Sequence, residues 1–173
     1  GPTFHSARWD HDVDLRGKRV ALIGAGASGF QIGPAIADDV AELVVFQRTA
    51  QWMAPNPIYQ QPVTDDVRWA LREVPGYAQW LRFVLVWQGR DVLDLARVDP
   101  TWPDVPLSVN PVSARRREEL TAWLAHHAGD DEELLAKVVP DYPPLSKRML
   151  QDDGSWLQCL RKPNVTLVRE QID

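Results

Sequence analysis

Val20, Ala21, Leu22 and Ile23 form a short apolar run that stops at a glycine, and LVVF at 43–46 forms a second. The first, bounded by glycine, predicts a strand buried on both faces, and the second predicts another apolar strand. The stretch between them, through Ile36 and Ala37, predicts a helix. From about 62 to 140 the apolar period becomes helical. Thr64 ahead of Asp65 and Asp66 predicts an N-cap and acidic first turn, with Val67, Ala70, Leu71 and Val74 on one stripe. Tyr77, Trp80, Leu81, Val84 and Leu85 repeat the spacing. Pro100, Pro103, Pro106 and Pro111 make 99–111 an irregular crossing. Beyond it, Ser113 is the expected cap of a helix carrying Leu120, Trp123 and Leu124. Asp130 is the expected cap of another carrying Leu134, Leu135 and Val138, stopped at Pro140. These stripes read as core or domain-contact surfaces, and RRREE at 115–119 as a solvated face. Pro163 and Asn164 predict a turn, after which Val165 and Leu167 alternate with Thr166 and Val168 as a strand.

Gly24, Gly26 and Gly29 complete a G-x-G-x-x-G that directly follows the first strand and opens the first helix. In that context the glycines serve a tight turn, close approach of backbone to a pyrophosphate, and close helix–strand packing, with helix N–H groups facing the phosphate. Ser28, within the motif, and Gln31, two residues past it, join the three glycines as candidate cofactor contacts. A site for NAD usually ends its second strand on a carboxylate that bonds the ribose 2′-OH. Here Gln47, Arg48 and Thr49 occupy that end. A guanidinium and a hydroxyl favour a 2′-phosphate, so NADP(H) is the expected nucleotide. The fold class follows: an α/β, Rossmann-like dinucleotide-binding domain over 16–60 plus 141–173, a helical insertion over 61–140, and a linker over 1–15.

Composition narrows the partners. At 173 residues and 45% apolar the chain can bury a sizeable core. Its net charge of -5 offers no basic field, so nucleic acid is not an expected partner and any anion site must be local. The longest apolar run, 80–87, is broken by Arg82 and falls short of the roughly 20 residues of a membrane span. Cys159 is the single cysteine, which fits a reducing cytoplasm and excludes an internal disulfide or a CxxC metal pattern. His126 and His127 fall at a predicted helix end, where they read as C-terminal cations, so no metal site is expected.

Two cations remain, Lys147 and Arg148 in LSKRML, directly after the proline-rich PDYPP. Taken alone, such a pair reads as a solvated turn. Upstream of the glycine loop, Gly1, His5, Trp9 and Asp10 match the G-x-x-x-H-x-x-x-W-[PD] portion of the fingerprint of Baeyer–Villiger monooxygenases. With GAGASG, the QRT strand end, the helical insertion and SKRML followed by DDGSWLQCLRKPNVTLV, the whole chain resembles that family, in the style of its 4-hydroxyacetophenone monooxygenase members. The resemblance implies FAD- and NADPH-dependent insertion of an oxygen atom from O₂ into a ketone, giving an ester or lactone. It implies that Lys147 joins Arg48 and Thr49 around the 2′-phosphate. Arg148 it makes the catalytic cation that stabilises anions formed during oxygenation. His5 it makes part of the linker that couples domain movement to cofactor binding.

Family members bind FAD mainly through a second glycine-motif domain, so this chain looks like an excised NADP(H) domain. Two other readings stay open: a flavin-containing monooxygenase acting on N or S centres, against which Trp9-Asp10 argues, and a non-catalytic NADP(H)-binding module. A ketone substrate that yields ester in the full-length enzyme separates the first from the former. The length of the parent open reading frame separates it from the latter.

Overall fold

The computed structural model describes residues 1–88 and 92–172. Strand β1, Arg19–Ile23, pairs in parallel with β2, Glu42–Phe46, which pairs in parallel with β5, Val165–Val168, giving the order β1-β2-β5. Helix α1, Ala27–Ile36, joins the first two strands. Register puts Val20 and Leu22 in line with Leu43 and Val45 and with Val165 and Leu167, on one sheet face. That face is covered. Gly33 of α1 and Phe30 meet Trp156 of α7, Ser155–Leu160, whose Trp156, Leu157, Cys159 and Leu160 are all buried.

The other face holds Ala21 and Ile23 in line with Val44 and Phe46 and with Thr166 and Val168. Burial of β1 therefore alternates, and Ile23 is 72% exposed. This corrects the expectation of a strand buried on both faces. A continuous apolar run records that both faces tolerate burial, yet among the described residues the second face is exposed at Ala21, Ile23 and Thr166 and only half-buried at Val44, Phe46 and Val168.

Helix α5, Pro111–Ala128, and α6, Glu132–Val138, complete the core with Leu120, Leu124, Ala128, Leu134 and Val138. Their caps sit elsewhere than the sequence predicts. Asn110 caps α5, its Oδ1 accepting from the Ser113 amide at 2.7 Å, with Pro111 in the first turn. Asp131 caps α6, its Oδ1 accepting from the Leu134 amide at 2.8 Å, so Asp130 lies outside. Asparagine ahead of proline is the better start, because proline fits the first helical position and needs no donor. The expected crossing is irregular over 99–110, Pro111 opening α5, and Asn164 holds the expected turn by donating to the carbonyls of Ala37 and Val40.

Helices α2, Asp65–Glu73, α3, Tyr77–Gln88, and α4, Val92–Ala96, lead into α5. Thr64 starts α2 as expected. Along α3, Tyr77, Leu81 and Val84 are half-buried, whereas Trp80, at 57%, and Leu85, at 62%, stand in solvent. A short parallel ribbon was not foreseen: β3, Met53–Pro55, pairs with β4, Leu150–Asp152, immediately after SKRM. Helix α7 was not foreseen either, being too short to show a helical period. No helix among the described residues is long and apolar enough to cross a membrane.

Candidate dinucleotide-binding site

The three glycines occupy three different environments. Gly24 has φ +100, and its amide donates to the Phe46 carbonyl at 2.8 Å, so the tight turn is tied to the end of β2. A Cβ on Gly29 would lie 1.9 Å from the Gly24 carbonyl oxygen, which only a residue without a side chain avoids. Gly26 caps α1 with no side-chain bond to the helix amides, and a Cβ there would meet nothing within 4 Å. Uncapped amides beside open space form an anion cradle, so these residues fit the pyrophosphate of a dinucleotide. Ser28 and Gln31 lie exposed on the first turns of α1, with the Gln31 amide donating to the Ala27 carbonyl at 2.8 Å. Beside the loop, a cavity of about 950 Å³ runs along the open edge of β1 and under the N-terminal segment, past Phe4, Val13, Ile32 and Ile36.

At the end of β2, Gln47 turns inward and donates to the Lys137 carbonyl at 3.0 Å, while Arg48 is exposed and Thr49 half-buried. Lys147 and Arg148 are both exposed on the turn before β4, where Leu145 takes a φ of 68 and Ser146 bonds back to the Pro143 carbonyl. The Arg48 and Arg148 guanidiniums donate to no side chain or carbonyl among the described residues, which leaves them available to an anion. His5 caps the turn Ser6–Arg8, its Nδ1 accepting from the Ala7 amide at 3.1 Å.

What supports the Lys147 turn is a buried scaffold absent from the sequence expectations. Trp52, 1% exposed, donates from Nε1 to the Tyr142 carbonyl at 2.9 Å. The Tyr142 hydroxyl donates to the Ala50 carbonyl at 2.7 Å, one residue beyond Thr49, and the Lys147 ammonium lies 4.3 Å from the centre of the Tyr142 ring. Arg117 lies over the Trp52 ring at 5.1 Å and donates to the Pro140 carbonyl at 2.9 Å. This corrects the reading of RRREE as wholly solvated. Arg115 and Arg116 do pair with Glu119 at the surface, but Arg117 faces inward. Its spacing to Leu120 and Leu124, three and seven residues on, is the signal that places it on the apolar face.

Burial tunes the groups nearby. It raises the Tyr142 phenol above its ordinary value, so the hydroxyl stays a donor. Asp152, buried at the end of β4, is also raised by burial. Its Oδ1 accepts from the Trp156 amide at 3.3 Å, while Oδ2 has no partner among the described residues. Cys159 is pushed up to about 11 by burial, which keeps it a thiol. No group of three His, Cys, Asp or Glu side chains among the described residues is placed to hold a metal ion.

No family model matches the chain. It is 47% identical over 169 residues, 97% of its length, to the uncharacterised monooxygenase y4iD of Sinorhizobium fredii, of which it covers 25%. It is 36% identical over 168 residues to a Baeyer–Villiger monooxygenase of Streptomyces coelicolor, of which it covers 30%. Along nearly its whole length the chain is similar to Baeyer–Villiger monooxygenases. Among solved structures, cyclohexanone monooxygenase from Rhodococcus sp. Phi1 bound to NADP⁺ superposes on 97% of the chain with a TM-score of 0.70 at 24% identity, and 35% of that structure is covered. OTEMO in complex with FAD and NADP superposes on 96% of the chain with a TM-score of 0.65 at 25% identity, again over 35% of that structure. The Baeyer–Villiger-like chain thus spans a quarter to about a third of the length of the proteins it matches.

Proposed function

We propose that this chain is the NADP(H)-binding portion of an FAD-dependent Baeyer–Villiger monooxygenase, acting in the cytoplasm on a ketone, aryl ketones included, to give an ester or lactone. NADPH supplies the hydride and FAD the reduced ring that activates O₂. One observation carries the reading: an uncapped, unobstructed glycine cradle at the start of α1 stands beside a β2 end that presents Arg48 and Thr49 where a carboxylate would exclude a 2′-phosphate. The similarity to monooxygenases along nearly the whole chain supports it.

In this reading the α1 amides and Gly24, Gly26, Ser28, Gly29 and Gln31 hold the pyrophosphate side, while Arg48, Thr49 and Lys147 hold the 2′-phosphate. FAD is bound mainly by parts of the protein outside this chain. The nucleotide-binding body is formed by 16–60 and 141–173, with 1–15 as linker and 61–140 as a helical insertion that lends α5 and α6 to its core. Arg148 offers a positive charge to the negative charge that develops on oxygen during ketone oxygenation.

The test is Arg148→Ala in the full-length enzyme. NADPH affinity is expected to stay close to the parent while ester formation falls by about two to three decades, with NADPH still consumed. Unchanged ester formation overturns the catalytic assignment. Equal affinity of the protein for NADP⁺ and NAD⁺ overturns the nucleotide assignment.

A further inference from the structure

Lys147 is exposed on a turn, and a free lysine side chain loses rotamer freedom when it is fixed on an anion. Its surroundings reduce that loss before any ligand arrives. The ammonium lies 4.3 Å from the centre of the Tyr142 ring, and Tyr142 is held at both ends: its hydroxyl donates to the Ala50 carbonyl at 2.7 Å, and its backbone carbonyl accepts from Trp52 Nε1 at 2.9 Å. Ala50 follows Thr49 directly. Tyr142 is therefore a strut between the loop that carries Arg48 and Thr49 and the turn that carries Lys147. Arg117 braces the same strut from α5, lying over Trp52 at 5.1 Å and donating to the Pro140 carbonyl at 2.9 Å.

We propose that Tyr142, braced by Arg117, is the positioning residue that presents Lys147 beside Arg48 and Thr49, and so sets how strongly the protein prefers a nucleotide carrying a 2′-phosphate. The inference rests on the assignment of Lys147 to that phosphate. Tyr142 need not touch the nucleotide; it acts through Lys147.

A double-mutant cycle tests it, with calorimetric titration of the full chain by NADP⁺ and by NAD⁺, selectivity being the ratio of the two dissociation constants. Lys147→Ala is expected to cut selectivity roughly ten-fold or more, and Tyr142→Leu about two- to five-fold, the strength of an exposed cation–π contact. Tyr142→Phe keeps the ring face but loses the bond to Ala50, and is expected to lower selectivity, by less than Tyr142→Leu does. In the Lys147→Ala background, Tyr142→Leu is expected to change selectivity no further. If Tyr142→Leu leaves selectivity intact while Lys147→Ala lowers it, or lowers it equally in both backgrounds, the proposal is overturned. A silent Lys147→Ala instead removes the phosphate assignment itself, and the proposal with it. Should Tyr142→Leu not fold, Arg117→Met runs the same cycle: a drop of about two-fold confined to the background that retains Lys147 supports the strut, and no drop overturns it.

Discussion

The glycine loop and the Lys147 turn are both candidate anion sites, yet they are built in opposite ways. The glycine loop is made of backbone and complete within a few residues: Gly24 at φ +100, open space at Gly26, and Gly29 pressed on the Gly24 carbonyl. The Lys147 turn is made of side chains held from afar. Tyr142 reaches Ala50 and Trp52, residues 92 and 90 positions away, and Arg117 reaches in from α5. A local site is legible as a motif and fails when one atom is added, whereas an assembled site fails when a distant support is removed.

The largest expected effect breaks the assembled side. Trp52→Ala removes a fully buried indole beneath both Arg117 and Tyr142, and should cost about 3–5 kcal/mol of stability. Denaturant unfolding reads this, and a loss under about 1 kcal/mol would show that the turn does not hang on Trp52. Next comes Gly29→Ala, whose Cβ would lie 1.9 Å from a backbone oxygen. It should cost about 3 kcal/mol, the upper part of the overpacking range, and abolish binding of NADP⁺ and NAD⁺ alike.

Gly26→Ala sharpens the contrast, because its Cβ meets nothing within 4 Å. Stability should stay within about 0.5 kcal/mol of the parent while both nucleotides bind less tightly, by roughly ten-fold and without change in their ratio. Nucleotide titrations of Gly26→Ala and Lys147→Ala should therefore separate an effect on affinity from an effect on selectivity.

The smallest effect concerns Asp152, buried three residues after Met149. Burial raises its folded pKa above the unfolded value near 3.9, so the folded state holds the proton more tightly. Its contribution is then most favourable below the unfolded pKa and is lost as pH rises through the raised folded one. Asp152→Asn removes that dependence, so the melting temperature of the variant minus that of the parent should increase as pH rises from about 4 through the raised folded value. A flat difference would mean that Asp152 ionises in place without penalty.

The same division runs through the fold. The β1–α1–β2 unit and the β5 strand with its Asn164 turn were readable, since short runs, glycines and turn residues act on their immediate neighbours. The caps of α5 and α6 slipped to Asn110 and Asp131 because several polar residues near each start can cap, and geometry selects one. Ribbon β3–β4 and helix α7 are too short for a period to register. Apolar stripes alone did not separate α5, whose Leu120 and Leu124 are fully buried, from α3, whose Trp80 and Leu85 are exposed.

By itself the sequence determined the strand–glycine loop–helix–strand unit, the acid-free end of β2 and the presence of a basic pair after PDYPP. These depend on backbone conformations and side-chain chemistry that a residue carries wherever the chain goes. Only the tertiary structure decided that one face of the sheet is more deeply covered than the other, that Arg117 faces inward, and that Tyr142 stands under Lys147 with its hydroxyl on Ala50. A periodic pattern says which residues accept burial; which partner they meet depends on elements far apart in the chain closing on one another, a packing choice that the local pattern does not encode.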